Sequence, residues 1–337
     1  MLFKSLFHLI CSFVFIISCA DAQKKNTEWH PIVQQAKETS YFAGQVNWQE
    51  VNEQFTKLTS HAQNSEDLTV GLQYLINSLG DKHAAIRSTH DYSILLSYQG
   101  ASSDIDPRNP DFVNSVINDI SVEFSYELLD YDVGYLRVVG IGPGDVKKQA
   151  DQIRHGLITL AEQGVKHWIL DLRYNGGGNI EPMIAGLATL LGEGLIGGAV
   201  DSRSTLVREY TVADGTFNNN GRVVCEMDNL PEGIAAHKVA VLLSRYTASS
   251  GELLAIAFKG RPNTTFIGER TAGYTTGNGY DVIHDDLALV ISQDVFADRA
   301  GTIYKDKVSP DVISLFEHNT SLSGDTQIYA ALNWLKD

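Results

Sequence analysis

The chain has 337 residues, 43% of them hydrophobic, and a formal net charge of −15 from 26 basic and 41 acidic side chains. This length and apolar content are enough for one large domain with an added subdomain. A strongly acidic protein repels phosphate backbones and anionic membrane surfaces, and no run of lysines and arginines offsets the charge. The composition therefore argues against nucleic acid or a charged lipid surface as a partner.

The N-terminus has the layout of an export signal, in which Lys4 precedes an apolar run and then small residues. Two processing sites remain open. Cleavage after Ala22 gives a soluble secreted form, whereas cleavage before Cys19, as in bacterial lipoproteins, gives a lipidated first residue. We assign residues 1–22 to the signal and expect an exported bacterial protein, either periplasmic or held at the outer membrane only through a lipid on Cys19.

Cysteine usage predicts no disulfide framework. Of the three cysteines, Cys11 belongs to the signal and Cys19 lies at its end, so Cys225 has no second cysteine in the core with which to form a disulfide. We therefore expect the stability of the protein to come from its core.

Residues 23–92 are predicted to form a helical subdomain. Apolar residues recur at three- and four-residue steps from Trp48 to Leu58, and again from Leu68 to Leu79. Gly80 ends the second helix and is followed by Asp81-Lys82-His83. A histidine at such a position is usually a surface or capping residue, so its role depends on motifs further along the chain.

The polar segment 93–130 is predicted to connect this subdomain to a core domain, residues 131–337. The core begins with a strand at Val133–Val139, a helix at Val146–Glu162 and a strand at Val165–Leu172. Strand, helix, strand in this order implies a parallel crossover unit.

The second strand leads into Asn175-Gly176-Gly177-Gly178, which precedes an apolar helix at Ile180–Leu191. Consecutive glycines allow the backbone to present amides inward at dihedrals that other residues avoid, which suits an anion or oxyanion site. A phosphate loop is not indicated, because no Lys-Ser/Thr follows the glycines. A tight turn needed only for packing is the other interpretation.

Ser249 follows a β-branched apolar strand, Val239–Leu243, and precedes a helix that begins with small residues. A hydroxyl at a strand-to-helix turn lies at the carboxyl end of a sheet, beside the free amides of the first helical turn. This is a suitable place for acyl-transfer chemistry. Ser249-Ser250-Gly251-Glu252 is also a capping box, in which the Ser249 and Glu252 side chains satisfy each other's backbone amides.

The C-terminal portion is predicted to contain a hairpin, Gly279–His284 with Leu287–Gln293, and a closing helix at Thr326–Leu335. His237 and His284 are single histidines on strands and are interpreted as structural. No cluster of His, Cys and Asp has metal-ligand spacing, so we expect no metal and no cofactor.

Four motifs together resemble those of the C-terminal-processing (tail-specific) serine peptidase family, which includes the tricorn core protease and the non-peptidase interphotoreceptor retinoid-binding protein. They are Asp-Leu-Arg-x-Asn-x-Gly-Gly from Asp171, Thr-Ala-Ser-x-x-Glu from Thr247, Gly-Glu-x-Thr-x-Gly from Gly268, and Val-Ser-Pro-Asp from Val308. The resemblance covers about Gly134 to Val312. It implies an α/β fold with a Clp-protease/crotonase-like core of stacked strand-strand-helix units and an N-terminal helical subdomain.

The resemblance also implies roles for individual residues. Ser249 aligns with the nucleophile, and the amides of Gly176 or Gly177 and of Ser250 would form the oxyanion hole. Members with a Ser/Lys dyad carry the lysine just after the Thr-x-Gly turn, where this chain has Tyr274. Tricorn-like members use a histidine from the N-terminal region instead, and His83 matches it.

Three departures from the family pattern accompany these matches. The serine that precedes the histidine in tricorn is Lys82 here, and the acidic residue expected shortly before Pro-Asp is replaced by Tyr304. Asp306 or Asp81 are alternatives for the group that orients the histidine. The interval between His83 and the core is too short for the peptide-binding PDZ domain of tail-specific members, so recognition of a free C-terminus is not expected.

The sequence therefore predicts an exported serine endopeptidase of the tricorn-like branch without a PDZ domain, acting on peptides or unfolded proteins through an acyl-enzyme. Ser249 would be the nucleophile and His83 the general base. The alternative is a catalytically silent relative that binds an apolar ligand or a peptide. The missing lysine and the changes at Lys82 and Tyr304 keep this alternative open.

Overall fold

The computed structural model describes residues 29–100, 123–226, 233–317 and 322–337. The export signal with Cys19, and most of the connecting segment, lie outside these residues. The chain divides into two compact units, one formed by residues up to Gly100 together with Asn278–Ser292, the other by the remainder. No helix in the described ranges is both long enough and apolar enough to cross a membrane.

Within the described residues, the first unit contains three α-helices, two short strands and most of a hairpin. In chain order its helices and strands are α1 His30–Thr39, α2 Trp48–Leu58, α3 Thr69–Ser78, β1 Ala85–Ser88 and β2 Ile94–Ser97. Strand β1 pairs antiparallel with β2 and with the segment Leu287–Val290 of the hairpin. The predicted apolar stripes of α2 and α3 are buried here, with Phe55, Leu72 and Ile76 in one apolar cluster. The hairpin is predicted to lie in the core domain, whereas in the structure Asn278–Ser292 belongs to the first unit.

The second unit holds the remaining secondary structure. Its elements, with strands β12 and β13 shared between the units, are β3 Ser125–Asp130, β4 Val133–Arg137, α4 Val146–Glu162, β5 His167–Asp171, α5 Ile180–Leu191, β6 Gly194–Val200, β7 Leu206–Ala213, β8 Thr216–Asn219, β9 Arg222–Val223, β10 Lys238–Leu243, α6 Ser250–Phe258, β11 Thr264–Gly268, β12 Thr276–His284, β13 Leu287–Asp298, β14 Val312–Ile313 and α7 Thr326–Lys336.

A six-stranded sheet is the centre of the second unit, in the order β14-β11-β10-β5-β4-β3. All neighbours pair in parallel except β3, which is antiparallel to β4. The parallel pairing of β4 with β5 across α4 confirms the predicted crossover unit. A second, antiparallel run pairs Val295–Asp298 of β13 with β6, followed by β7, β8 and β9.

Strand β10 is apolar and buried from Val239 to Leu243, as expected for a strand of a sheet that is covered on both faces. Successive side chains of a strand point to opposite faces. Val239, Val241 and Leu243 belong to the cluster that includes α4, α5 and α6, whereas Ala240 and Leu242 belong to the cluster with α7. Because helices cover both faces of the sheet, the carboxyl ends of its parallel strands stay uncovered. The loops that carry the polar motifs begin at these strand ends.

Candidate functional site

Ser249 lies in the turn between β10 and α6, as the sequence predicted for a strand-to-helix position. Its backbone dihedrals are φ 52° and ψ −120°, a conformation rare for a residue with a side chain. An ordinary capping serine occupies the extended β region instead. The Ser249 side chain is half-buried, and the amide of Ser250, the first helical residue, has no acceptor within the helix.

The turn around Ser249 is tied to the glycine loop that follows β5. Four hydrogen bonds join the two segments: the Ser244 hydroxyl donates to the Arg173 carbonyl at 2.5 Å, the Thr247 hydroxyl to the Leu172 carbonyl at 2.8 Å, the Ala248 amide to the Asn175 carbonyl at 2.9 Å, and the Ser250 hydroxyl to the Gly178 carbonyl at 2.6 Å. Because β5 and β10 are adjacent parallel strands, their carboxyl ends bring the two motifs together.

Two of the three glycines in the loop, Gly176 and Gly177, have different surroundings. Gly177 has φ +105°, and a Cβ there would lie 2.7 Å from the Cβ of Ser249, so only glycine fits. Its amide donates to the Asn175 Oδ1 at 3.0 Å. At Gly176 a Cβ would meet no atom within 4 Å. Gly177 therefore sets the approach of the loop to Ser249, while Gly176 lies in open space.

The Asp-Leu-Arg motif forms a buried ion-pair network behind this loop. The Arg173 guanidinium contacts the Asp171 carboxylate at 2.7 Å and the Asp325 carboxylate at 2.6 Å, and the Tyr135 hydroxyl donates to Asp171 at 2.6 Å. Burial by itself raises the pKa of Asp171, but the adjacent Arg173 outweighs it and the pKa lies below its usual value. Since Asp325 caps α7, the network joins the glycine loop to that helix.

Glu252 is the other fully buried carboxylate of the site. One oxygen, Oε2, accepts the amides of Ser249 at 2.9 Å and Tyr274 at 2.7 Å, and Oε1 accepts the amide of Gly273 at 2.9 Å and the Thr271 hydroxyl. The carboxylate half of the predicted capping box is therefore present. Burial raises the pKa of Glu252 to about 7, although its four hydrogen bonds act in the opposite direction.

The last motif anchors the turn that contacts Glu252. The Thr271 amide donates to the Val308 carbonyl at 3.1 Å, and the Val308 amide donates to the Thr271 hydroxyl oxygen at 2.8 Å. Asp311 exchanges two hydrogen bonds with Phe266, one of them through its carboxylate at 2.9 Å. The Val-Ser-Pro-Asp segment thus extends the edge of the central sheet beside β11.

His83 lies in the first unit, just after α3, and its side chain is half-buried. The Asp81 carboxylate, 1% exposed, accepts the His83 backbone amide at 2.9 Å and also binds Ser292 through its amide at 2.8 Å and its hydroxyl at 2.9 Å. These contacts fix the backbone of the His83 segment to the neighbouring strand. Asp81 therefore has a positioning role within its own unit.

The remaining candidate, Asp306, and Tyr304, which replaces the expected acidic residue, are in the second unit. Asp306 is largely exposed and lies 3.7 Å from the Arg270 guanidinium. The Tyr304 hydroxyl donates to Asp298 at 2.9 Å, and burial raises the pKa of this phenol. Within the described ranges, no three His, Cys, Asp or Glu side chains are grouped as metal ligands.

The structure brings Ser249, Ser250 and the glycine loop together within one unit, and His83 belongs to the other. Sequence reasoning missed two contacts that support this assembly. The Arg173–Asp325 pair joins residues far apart in sequence. The Thr271–Glu252 contact joins two of the quoted motifs, whose order alone did not show that they touch.

A cavity of about 620 Å³ lies beside the glycine loop, lined by both apolar and polar side chains, among them Phe124, Ile153 and His155. Its wall includes Ile141, whose amide donates to the Gly177 carbonyl at 3.1 Å. The loop that contacts Ser249 is thus in contact with the cavity wall.

A serine in a strained turn between a parallel strand and a helix, against a glycine loop at the same sheet edge, defines an α/β protein with a serine-peptidase type of fold. The family model for Peptidase family S41 matches residues 132–314, more than half of the chain. The protein belongs to this family. The predicted family resemblance and the α/β fold class are confirmed.

Individual proteins show the same relationship. The chain is 29% identical over 300 residues to a protein of Lactococcus lactis subsp. lactis named Nisin-resistance protein, covering 89% of this chain and 83% of the relative. Among solved structures, a lipoprotein from Streptococcus agalactiae superposes with a TM-score of 0.67 at 20% identity, covering 99% of both chains. The photosystem II D1 C-terminal processing protease superposes with a TM-score of 0.55 at 15% identity, covering 89% of this chain and 96% of that one.

Proposed function

We propose that the protein is a serine endopeptidase that cleaves peptides or unfolded proteins through an acyl-enzyme. The Ser249 hydroxyl oxygen attacks the carbonyl carbon of the scissile bond while the His83 imidazole takes its proton and passes it to the leaving amine. Water then hydrolyses the ester by the same proton route. The amides of Gly176 or Gly177 and of Ser250 stabilise the oxyanion.

The observation that carries this proposal is the backbone conformation of Ser249. A non-glycine residue held at φ 52° and ψ −120° costs on the order of 1–3 kcal/mol, and such strain is concentrated at functional sites. A serine that only caps a helix gains nothing from it, because a cap forms at extended dihedrals. The four loop-to-loop hydrogen bonds and Glu252 maintain this conformation.

The same geometry favours Gly176 over Gly177 as the donor on the glycine side. The Gly177 amide already donates to Asn175, whereas Gly176 lies in open space next to it. Ser250 supplies the second amide, which the helix leaves without an acceptor. We therefore assign Gly177 to the close approach of the loop and Gly176 with Ser250 to the oxyanion.

His83 is proposed as the base because Tyr274 occupies the place of the dyad lysine. Neutral imidazole is a competent base near pH 7. The Asp81 contacts hold the His83 backbone in place, which is what a base supplied by a separate segment needs.

Export belongs to the same proposal. The signal-like residues 1–22, and a structural neighbour described as a lipoprotein, support a secreted protein that carries a lipid on Cys19. Metabolic labelling with a fatty-acid analogue tests this, with Cys19→Ala as the control. Loss of label in the variant is expected, and equal labelling of both forms would contradict the lipid anchor.

Turnover of an unstructured protein tests the nucleophile, with nisin as a second substrate because a relative is named for resistance to it. Ser249→Ala should remove nearly all hydrolysis. Ser250→Ala is the matched control, since it loses one hydroxyl bond to Gly178 but keeps its amide, and it should retain most activity. His83→Ala should cost roughly a thousandfold in rate. Undiminished turnover in Ser249→Ala would refute the assignment.

The glycine loop offers a second matched pair. Gly177→Ala should lower the catalytic rate by roughly two to three orders of magnitude, because the added methyl group displaces the loop from Ser249. Gly176→Ala places its methyl group in open space and should remain close to wild type. A lower thermal stability of Gly177→Ala with unchanged turnover of its folded fraction would show that the loop acts only through packing.

The rival function is a catalytically silent binding protein. The absence of a lysine at Tyr274 is the observation that favours it. It predicts no turnover of any peptide by the wild-type protein, together with saturable binding of a peptide that Ser249→Ala leaves unchanged.

A further inference from the structure

We propose that the cavity beside the glycine loop is a substrate subsite, which takes a large apolar side chain of an extended peptide about three residues from the scissile bond. The place of the scissile bond rests on the proposed function. The binding of the side chain does not depend on hydrolysis, so it can be tested separately.

The position of the cavity relative to Ser249 is the first support. Strands β10, β5 and β4 are neighbours in the parallel part of the central sheet, and their carboxyl ends lead into the Ser249 turn, the glycine loop and residues 139–142 of the cavity wall. Adjacent strands lie about 4.8 Å apart, so about 10 Å separates the end of β10 from the end of β4. An extended peptide that crosses the glycine loop covers this distance in about three residues.

The side chains that line the cavity indicate which substrate side chain it accepts. Val138 and Ile153 are buried, and the partly buried Phe124 and Ile141 pack in the same apolar cluster. The exposed Glu123 adds a negative charge, and no lysine or arginine is among the described lining residues. The volume of about 620 Å³ is within the usual range of small-ligand sites. The cavity therefore suits a large neutral apolar side chain and disfavours an acidic one.

The cavity wall can also bind the main chain of a peptide. Val139 and Gly140 continue from the carboxyl end of β4, and no hydrogen bond from the described residues reaches the amide or the carbonyl of either. Extended peptides gain affinity from main-chain hydrogen bonds to such a segment, while an adjacent pocket selects the side chain. Residues 139–142 thus provide the backbone groups and the cavity provides the selectivity.

The same wall is fixed to the glycine loop. The Ile141 amide donates to the Gly177 carbonyl at 3.1 Å, and the Asn179 amide donates to the Ile141 carbonyl at 2.6 Å. A Cβ at Gly140 would lie 2.8 Å from the Gly177 carbonyl oxygen, so the two backbones are in direct contact. A side chain held in the cavity is therefore at a fixed distance from the amides proposed for the oxyanion.

Photocrosslinking locates the bound side chain without any need for hydrolysis. The probe is a set of short peptides of serine and alanine with one benzoylphenylalanine, a photoreactive aromatic residue, which is moved stepwise along the peptide. The protein is the mature chain with Ser249→Ala, so that the peptides stay intact. We expect crosslinks, mapped by mass spectrometry, on residues 149–155 of α4, which line the cavity.

Competition shows whether the cavity selects for an apolar side chain. The same peptide with phenylalanine in place of the photoreactive residue should suppress these crosslinks, and the peptide with aspartate there should not. Crosslinks confined to other parts of the protein, or equal suppression by both competitors, would overturn the proposal.

Turnover by the active protein tests the same preference. In the wild type, a peptide with phenylalanine at this position should have a kcat/KM about tenfold or more above that of the alanine peptide. Gln152 is exposed and lines the cavity, so Gln152→Lys should raise kcat/KM for the glutamate peptide about threefold relative to the phenylalanine peptide. Gln163→Lys adds the same charge at the other end of α4, outside the cavity, and should leave this ratio unchanged.

The outcomes separate this proposal from the proposed function. Equal kcat/KM for phenylalanine, alanine and glutamate at every position near the scissile bond would overturn the subsite and leave the function standing. Crosslinks on α4 in a protein whose wild-type form hydrolyses no peptide would support the cavity as a binding site and refute the proposed function instead.

Discussion

Asp171 and Glu252 are two fully buried carboxylates in the same unit, and their environments act on them in opposite directions. Asp171 has the Arg173 guanidinium at 2.7 Å, and its pKa lies below the usual value. Glu252 has only neutral donors, and burial raises its pKa to about 7. Equal burial thus gives a permanent charge in one place and a titrating group in the other, because only one has a cation as partner.

The difference in pKa between the two carboxylates corresponds to the segments that each one connects. Asp171 and Arg173 connect the strand β5 to the cap of α7, an architectural contact for which a fixed charge is suitable. Glu252 connects two turns at the open edge of the sheet, one of which carries the strained Ser249. The comparison therefore separates a structural ion pair from a group that can respond to pH.

The largest effect is expected from removing the cation. Arg173→Leu leaves Asp171 and Asp325 buried without a counter-charge and should lower the free energy of unfolding by about 3–5 kcal/mol, measured by urea denaturation. Arg203→Leu, which breaks the exposed pair with Asp201, is the control and should change stability little. A loss of less than about 1 kcal/mol in Arg173→Leu would mean that the network is not what fixes the loop to α7.

A second prediction concerns the pH dependence of stability. The folded-state pKa of Glu252 is raised from its ordinary 4.5, so the folded protein binds this proton more tightly than the unfolded chain does. The contribution of Glu252 to the free energy of unfolding therefore falls as the pH rises from about 4.5 to about 7, by at most about 3 kcal/mol.

The measurement is the difference between wild type and Glu252→Gln in the unfolding free energy, followed across this pH window. Asp171 gives the opposite sign, since its lowered pKa contributes stability above 3.8 that is lost on acidification. Parallel curves for wild type and Glu252→Gln between pH 5 and pH 7 would show that Glu252 does not titrate there.

The smallest effect is expected from removing one hydroxyl donor at each carboxylate. Tyr135→Phe at Asp171 and Thr271→Val at Glu252 should each cost about 1.5–3 kcal/mol, the usual range for a hydrogen bond to a charged group. Infrared difference spectra across a pH titration should then show that Glu252 becomes protonated at a higher pH in Thr271→Val than in the wild type. In Tyr135→Phe, the same spectra should show that Asp171 stays ionised at neutral pH. A carboxylic-acid band from Asp171 at neutral pH would contradict the comparison.

Several elements could be predicted from the sequence because their signals are local. The helices at Val146–Glu162 and Ile180–Leu191 have the predicted bounds, since Asp145 and Asn179 cap them and their apolar periodicity is unbroken. The predicted hairpin is also present in β12 and β13, although both strands extend further than expected.

Other features depend on contacts that no local pattern contains. Strand β6 has three glycines among its seven residues, which weakens its strand signal, yet it pairs with β7 and β13. The Ser249 turn was predicted from its position between strand and helix, but its strain depends on the dihedral angles. The bonds from Glu252 to Thr271, Gly273 and Tyr274 required the three-dimensional structure.

Labelling with a serine-reactive fluorophosphonate, followed by peptide mapping, tests the central claim that Ser249 is an activated nucleophile. We predict label on the peptide that contains Ser249 in the native protein, and loss of that label in Ser249→Ala and in urea-unfolded protein, because the strained turn and its amides exist only in the fold. Native wild-type protein that takes up no label at Ser249, or takes it up equally when unfolded, would contradict the claim.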